Sequence, residues 1–205
     1  MARNALWLLV VVAASVLIVA GLLWPRAPMP PDGHRMLPAA EAPKGGDIAL
    51  PVSSTGAAFR LQDQDARYWW VYFGYTSCPD ACPVSLAWIS GALSRLPEAL
   101  RGRVGGLFVS LDPERDDAAR LREYANHFHP DIVAATGPHA RIREIAARYG
   151  VFYRHTEVES ALGYVVDHTS ATYLVGPAGE VLEVHPHGTP SAELLAALEK
   201  HLATR

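Results

Sequence analysis

The stretch Tyr68-Trp69-Trp70-Val71-Tyr72-Phe73-Gly74-Tyr75-Thr76-Ser77-Cys78-Pro79-Asp80-Ala81-Cys82-Pro83 decides how this 205-residue chain folds. Its first seven residues are aromatic, β-branched or small, and none is charged. That is the composition of a central strand buried on both faces. Trp69 and Trp70 are neighbours, so strand alternation sends one ring to each side of the sheet. Pro83 suits the first turn of a helix, where its missing N–H costs nothing. Val84, Leu86, Ile89, Leu93 and Leu96 then recur at helical spacing as far as Pro97. A buried strand therefore runs into a helix, and both of the chain's cysteines stand at the junction.

Working outward, residues 57–61 read as a short strand and 104–111 (VGGLFVSL) as a second buried one. Asp112-Pro113-Glu114-Arg115-Asp116 turns the chain into a charged helix over 117–128. A short strand is expected at 132–135, a helix at 138–149 and an edge strand at 151–154. Two strands at 171–175 and 180–185 flank Gly176-Pro177-Ala178-Gly179 as a hairpin, and 191–202 forms the last helix. The order mixes βαβ crossovers with a terminal hairpin and helix. It predicts an α/β fold, a thioredoxin-like sandwich with a central mixed β-sheet.

The N-terminus has a different character. From 5 to 24 the chain carries no charge, and Ser15 is the only polar side chain. Twenty residues at about 1.5 Å each span a bilayer core of roughly 30 Å. Residues 1–4 then form a cytoplasmic stub and 5–24 an uncleaved transmembrane anchor. A short basic stub stays inside, which puts the remainder outside. A cleaved signal peptide is the alternative, but it would have a shorter apolar region followed by small residues. Here the run ends in Leu22, Leu23 and Trp24, and no nearby cysteine offers a lipid attachment point. Residues 25–51 hold seven prolines and the Gly45-Gly46 pair, which reads as an extended Pro-rich linker. Residues 52–205 form one domain with a core of its own. The net charge of −3 and the lack of a basic patch argue against a nucleic-acid partner. With no Arg-rich presequence, the expected location is a bacterial inner membrane, single-pass, with the soluble domain in the periplasm.

A close thiol pair at a strand-to-helix junction has two chemistries. It cycles between dithiol and disulfide, or it clamps a soft metal. A helix N-terminus favours thiolate over thiol and serves both. If the turn is helical, residues four apart place their β-carbons about 5–6 Å from each other on one face. The common redox motif is Cys-x-x-Cys, and here one residue more separates the thiols. A structural disulfide would close only a tiny loop and remove little unfolded-state entropy. Two thiolates suit Cu(I), and a third ligand, most naturally a histidine, makes such a site selective. Of nine histidines, His168 stands out, on the loop ahead of the strand at 171–175. In a thioredoxin-like fold that loop lies beside the first helix. On the residues alone, His168 is equally a ligand or a surface ring capping a carbonyl. His185 and His187 flank Pro186 in a turn, and His34, His127, His129, His139, His155 and His201 read as solvated. Peroxidase chemistry lacks support, because Thr76 stands two before Cys78 rather than three.

Three segments together resemble the Sco/SenC family of copper-binding oxidase assembly proteins: YFGYTSCPDACP (72–83), LFVSLDPERD (107–116) and YVVDHTSATYLVGPAGEV (164–181). HGTP (187–190) is similar to the family's C-terminal segment. Cys-Pro-x-x-Cys-Pro joined to a downstream Asp-His is a combination that thioredoxins and peroxiredoxins do not carry. The resemblance covers residues 57–200 and implies a thioredoxin fold holding one copper, Cu(I) or Cu(II), on Cys78, Cys82 and His168. It further implies a metallochaperone, not an enzyme, that delivers copper to the binuclear centre of cytochrome c oxidase. The alternative is a thiol-disulfide oxidoreductase or redox sensor that uses Cys78 and Cys82 to reduce that centre's cysteines. Implied partners are the oxidase's copper-site subunit and another periplasmic copper carrier. Asp167 is a candidate to orient the imidazole. Asp112 is a candidate docking or supporting carboxylate, or with Asp116 it simply caps the next helix. One departure is that 62–67 bridges directly into the aromatic strand, where the family usually has a longer segment. That puts the sheet edge in doubt more than the metal site.

Overall fold

The computed structural model describes residues 43–160 and 163–203. The expected stub, the apolar span at 5–24 and the linker up to residue 42 lie outside the described residues. Among the described residues, no helix is long and apolar enough to cross a membrane.

The aromatic stretch forms β4 (Tyr68–Gly74), buried at every position as its composition requires. It lies at the centre of a six-stranded sheet. On one side β4 pairs in parallel with β5 (Val104–Ser110), and β5 pairs in parallel with β6 (Ile132–Thr136). On the other side β4 pairs antiparallel with β9 (Thr172–Val175), which pairs with β10 (Val181–His185). β2 (Val52–Ser53) closes the far edge antiparallel to β6. The sheet is therefore mixed, as expected.

Helix α1 (Ala81–Ser94) follows β4 and packs Ile89 and Leu93 onto the face where Gly106 has no side chain. α2 (Ala118–Phe128) covers the same face through Tyr124, whose ring meets Phe108 at 5.2 Å. Asp117 caps α2, accepting from Arg120 N, so capping does not fall to Asp112 or Asp116. α4 (Ser191–Ala203) joins α1 through the Ser191 hydroxyl, which donates to Trp88 O at 2.7 Å. On the opposite face, Tyr149 at the end of α3 (His139–Arg148) packs on Phe73 and Tyr173. The result is a helix–sheet–helix sandwich.

Four expectations need correcting. The linker does not extend to residue 51, because Ile48 and Leu50 are buried and Gly46 N donates to Gly179 O. Apolar residues between the prolines are pulled into the core, giving β1 (Ala49–Leu50) and β2 on either side of Pro51. Second, the strand expected at 57–61 is only β3 (Phe59–Arg60), followed by a 3-10 turn at Leu61–Asp63. This short bridge pairs with β1 and sets Phe59 edge-on to Trp69 at 5.6 Å, so the edge in doubt is covered by packing. Third, the edge strand at 151–154 shifts to β7 (Tyr153–Glu157), outside the main sheet. Fourth, β7 pairs antiparallel with a strand that was not expected, β8 (Tyr164–His168). His168 thus ends a strand instead of riding a loop.

Candidate metal centre

Cys78 lies in the turn between β4 and α1, and Cys82 in the first turn of α1. The thiols therefore straddle the helix start instead of sharing one helical face. Cys78 N donates to Tyr75 O, which tightens the turn. Cys82 N, an amide at the open end of the helix, reaches Cys78 Sγ at 3.5 Å. Unpaired helix-end amides and their partial positive charge stabilise a thiolate at Cys78.

The depths of the two sulfurs differ. Cys82 is fully buried, and Cys78 is half-exposed. Gly74 makes room for the inner one: a β-carbon at this position would stand 2.6 Å from Cys82 Sγ. Both thiols are free. The hydrogen bond from the Cys82 thiol is the main cause that lowers the Cys78 pKa. Burial opposes it. Cys82 is raised, first by that same bond and then by burial. The inner sulfur therefore holds a proton more firmly than the outer one.

His168 reaches this pair from β8. Its Nε2 lies 3.4 Å from Cys82 Sγ, and its Nδ1 lies 3.0 Å from Thr169 O. A carbonyl only accepts, so Nδ1 carries the proton and Nε2 turns a lone pair to the sulfurs. Tyr72 and Tyr75 wall the ring edge-on at 6.0 and 6.1 Å. One ligand atom from each of Cys78, Cys82 and His168 lies within 4.8 Å of the others. Two sulfurs and a neutral imidazole form a donor set suited to a soft or borderline ion such as copper.

Asp167 does not orient the imidazole. Adjacent strand residues point to opposite faces, so its carboxylate turns away to Thr156 Oγ1 at 2.7 Å and Arg154 Nη2 at 3.2 Å. Those bonds, Thr156 first, hold it below the usual carboxylate range. The carbonyl of Thr169 takes the orienting role. Asp112 is fully buried, pairs with Arg115 and accepts from Tyr164 OH at 2.6 Å. Arg115 stacks on the Tyr164 ring at 3.7 Å and donates to Tyr164 O at 3.1 Å. Asp112 thus anchors β8, the strand that carries His168. Asp116 is buried too; it accepts from Thr76 N, Thr76 Oγ1 and Ser110 Oγ and so fixes the turn before Cys78.

The sequence reading missed two roles. His185 ends β10 and is buried rather than in a loop, and His187, in the turn after β10, brings Nδ1 to 3.1 Å from Oγ of Ser85 on the thiol-bearing helix. The Asp-Pro-Glu-Arg-Asp run singled out Asp112 but not Arg115, and nothing local indicated Tyr164 as their shared partner.

A family model described as SCO1/SenC matches residues 41–203. The chain is 34% identical over 139 residues to "Protein SCO1 homolog 1, mitochondrial" of Arabidopsis thaliana, covering 68% of this chain and 41% of that protein. It is 32% identical over 166 residues to "Protein SCO1 homolog, mitochondrial" of Homo sapiens, covering 77% and 52%. The chain thus spans about half the length of these relatives. Its fold is similar to the crystal structure of Arabidopsis thaliana ScoI with copper bound, with a TM-score of 0.71, 30% identity, and coverage of 78% of this chain and 99% of that one.

Proposed function

The chain belongs to the SCO1/SenC family, and on that premise we propose that it carries one copper ion on Cys78, Cys82 and His168 and hands it to the copper site of cytochrome c oxidase during assembly. The convergence of the three ligand atoms within 4.8 Å, with Nε2 of His168 left as a lone-pair donor, carries this reading. Relatives solved with copper bound support it. Cys78 and Cys82 bind as thiolates, so loading releases the proton held on Cys82. The neutral His168 ring closes the set. In the same proposal, residues 5–24 anchor the chain in a bacterial inner membrane and the domain works in the periplasm, beside the oxidase subunit that receives the metal.

One observation favours a second activity. An outer thiolate beside a protonated inner thiol is the arrangement a disulfide reductase needs, attacking with Cys78 and resolving with Cys82. In that step a target disulfide becomes a dithiol while Cys78 and Cys82 become a disulfide, so an external thiol reductant has to return the pair to the dithiol before it carries copper.

Anaerobic Cu(I) titration of the reduced full chain in detergent, against a competing chelator, tests the carrier. Wild type is expected to take one tightly held copper, and His168→Ala much less. Equal, weak binding in both would leave the thiols as a redox couple only. Protease protection of the domain in intact cells, lost on opening the outer membrane, tests the location.

A further inference from the structure

A second cluster of ligating side chains lies on the surface, away from the sulfurs. Glu114 comes from the turn after β5, His139 is the first residue of α3, and His155 is the central residue of β7. Three distant segments therefore bring one carboxylate and two imidazoles together. His139 Nε2 and Glu114 Oε1 are in direct contact. A ring nitrogen of His155 and a Glu114 oxygen lie within 4.8 Å of each other and of an Asp112 oxygen. The two imidazole rings are 6.1 Å apart, nearly perpendicular. Glu114 touches His139 and stands within 4.8 Å of His155, so its carboxylate links the two imidazoles.

The cavity beside the cluster is lined by His139, His155 and the cation Arg143, and the anionic group that would draw a metal ion is Glu114. Burial pushes the Glu114 carboxyl up, but the bond from His139 and the charges of His139 and His155 outweigh it and keep the group below its usual range. Glu114 is thus anionic at neutral pH. Asp112 stands behind the cluster with its own charge met by Arg115. The His155 ring packs on Tyr164 at 5.2 Å and Tyr153 at 6.3 Å, which limits the directions it can face. The cluster is partly exposed, so an ion can enter from solvent.

We propose that Glu114, His139 and His155 form a second metal site that takes one divalent transition-metal ion. Nitrogen and oxygen donors without sulfur select a borderline divalent ion, and the stability order among these places Cu(II) above Zn(II). The thiol site prefers the soft monovalent state, so the chain holds two sites of opposite preference. The second site depends on none of the thiol-site residues and stands or falls separately.

The test uses Cu(II) alone as probe, on the tag-free full chain carrying Cys78→Ser, Cys82→Ser and His168→Ala. Calorimetry and electron paramagnetic resonance are expected to show one Cu(II) per chain, with splitting from two imidazole nitrogens. Adding His139→Gln and His155→Gln should weaken binding by about 100-fold or more and abolish the splitting, and Glu114→Gln alone by about 10-fold. Circular dichroism verifies that these surface changes leave the fold intact. No stoichiometric Cu(II) in the starting variant, or binding unchanged after both histidines are replaced, overturns the site.

Discussion

The two halves of the thiol–histidine site are built to different standards. The thiols rest on β4, buried at every position, and on the start of α1, with Cys82 against Gly74 and Phe108 nearby. His168 rests on the β7–β8 hairpin, a separate two-stranded sheet in which Val166 alone of the strand residues is buried. Isolated two-stranded hairpins are marginal in water. This one is held by Val166 in the core and by the Asp112–Arg115–Tyr164 contacts. The contrast teaches that the histidine half is the part able to give way while the sulfurs stay fixed. Regions with few buried contacts open locally at lower cost than core strands.

The sharpest test of that contrast is Arg115→Ala. It leaves the Asp112 carboxylate buried without its cation, a loss of about 3–5 kcal/mol, read by urea denaturation. Hydrogen exchange should rise in 153–157 and 164–168 well before it rises in β4. Uniform loosening would break the comparison. Gly74→Ala strikes the other half. The added β-carbon crowds Cys82 Sγ and costs about 1–3 kcal/mol, with weaker Cu(I) retention and unchanged exchange in the hairpin.

The pH response supplies a smaller, independent effect outside both halves. Burial lowers the His185 pKa, against the charges of Glu183 and Glu193. The unfolded chain therefore takes up a proton at His185 more readily than the folded one. Stability from this group is complete above pH 6.5 and declines as the pH falls below it. Denaturation midpoints of wild type should drop between pH 7.5 and 5.5 more than those of His185→Phe. The smallest effect belongs to Asp167→Ala, where copper affinity should hold within about threefold, far short of the 10–100-fold that a true imidazole partner commands. A larger loss would return Asp167 to the site.

What the sequence made legible follows the same division. β4, β5 and α1 carry long apolar runs because they are buried on two sides, and their positions could be read directly. Cys78, Cys82 and His168 were legible as candidates, two from the junction and the third from its Asp-His-Thr context and a family resemblance. The β7–β8 hairpin was not, because YRHTE and YVVDH have neither a clean alternation nor a turn signal at the expected spacing. Likewise β1 and β2 are two-residue strands fixed by partners far along the chain, and the prolines around them argued for a linker. Asp112 was visible in its turn. Only the fold shows that it meets Tyr164, 52 residues away.

The unequal depth of the two sulfurs imposes an order on events. In the proposed transfer an incoming thiolate would meet the ion from the Cys78 side, because Cys82 is closed off by the sheet beneath it. Exchange then begins at the outer sulfur and ends at the inner one. On the proposed function, the cargo would pass between proteins as a climber moves on rock, with a new hold taken before the last is released and no bare ion in the surrounding water.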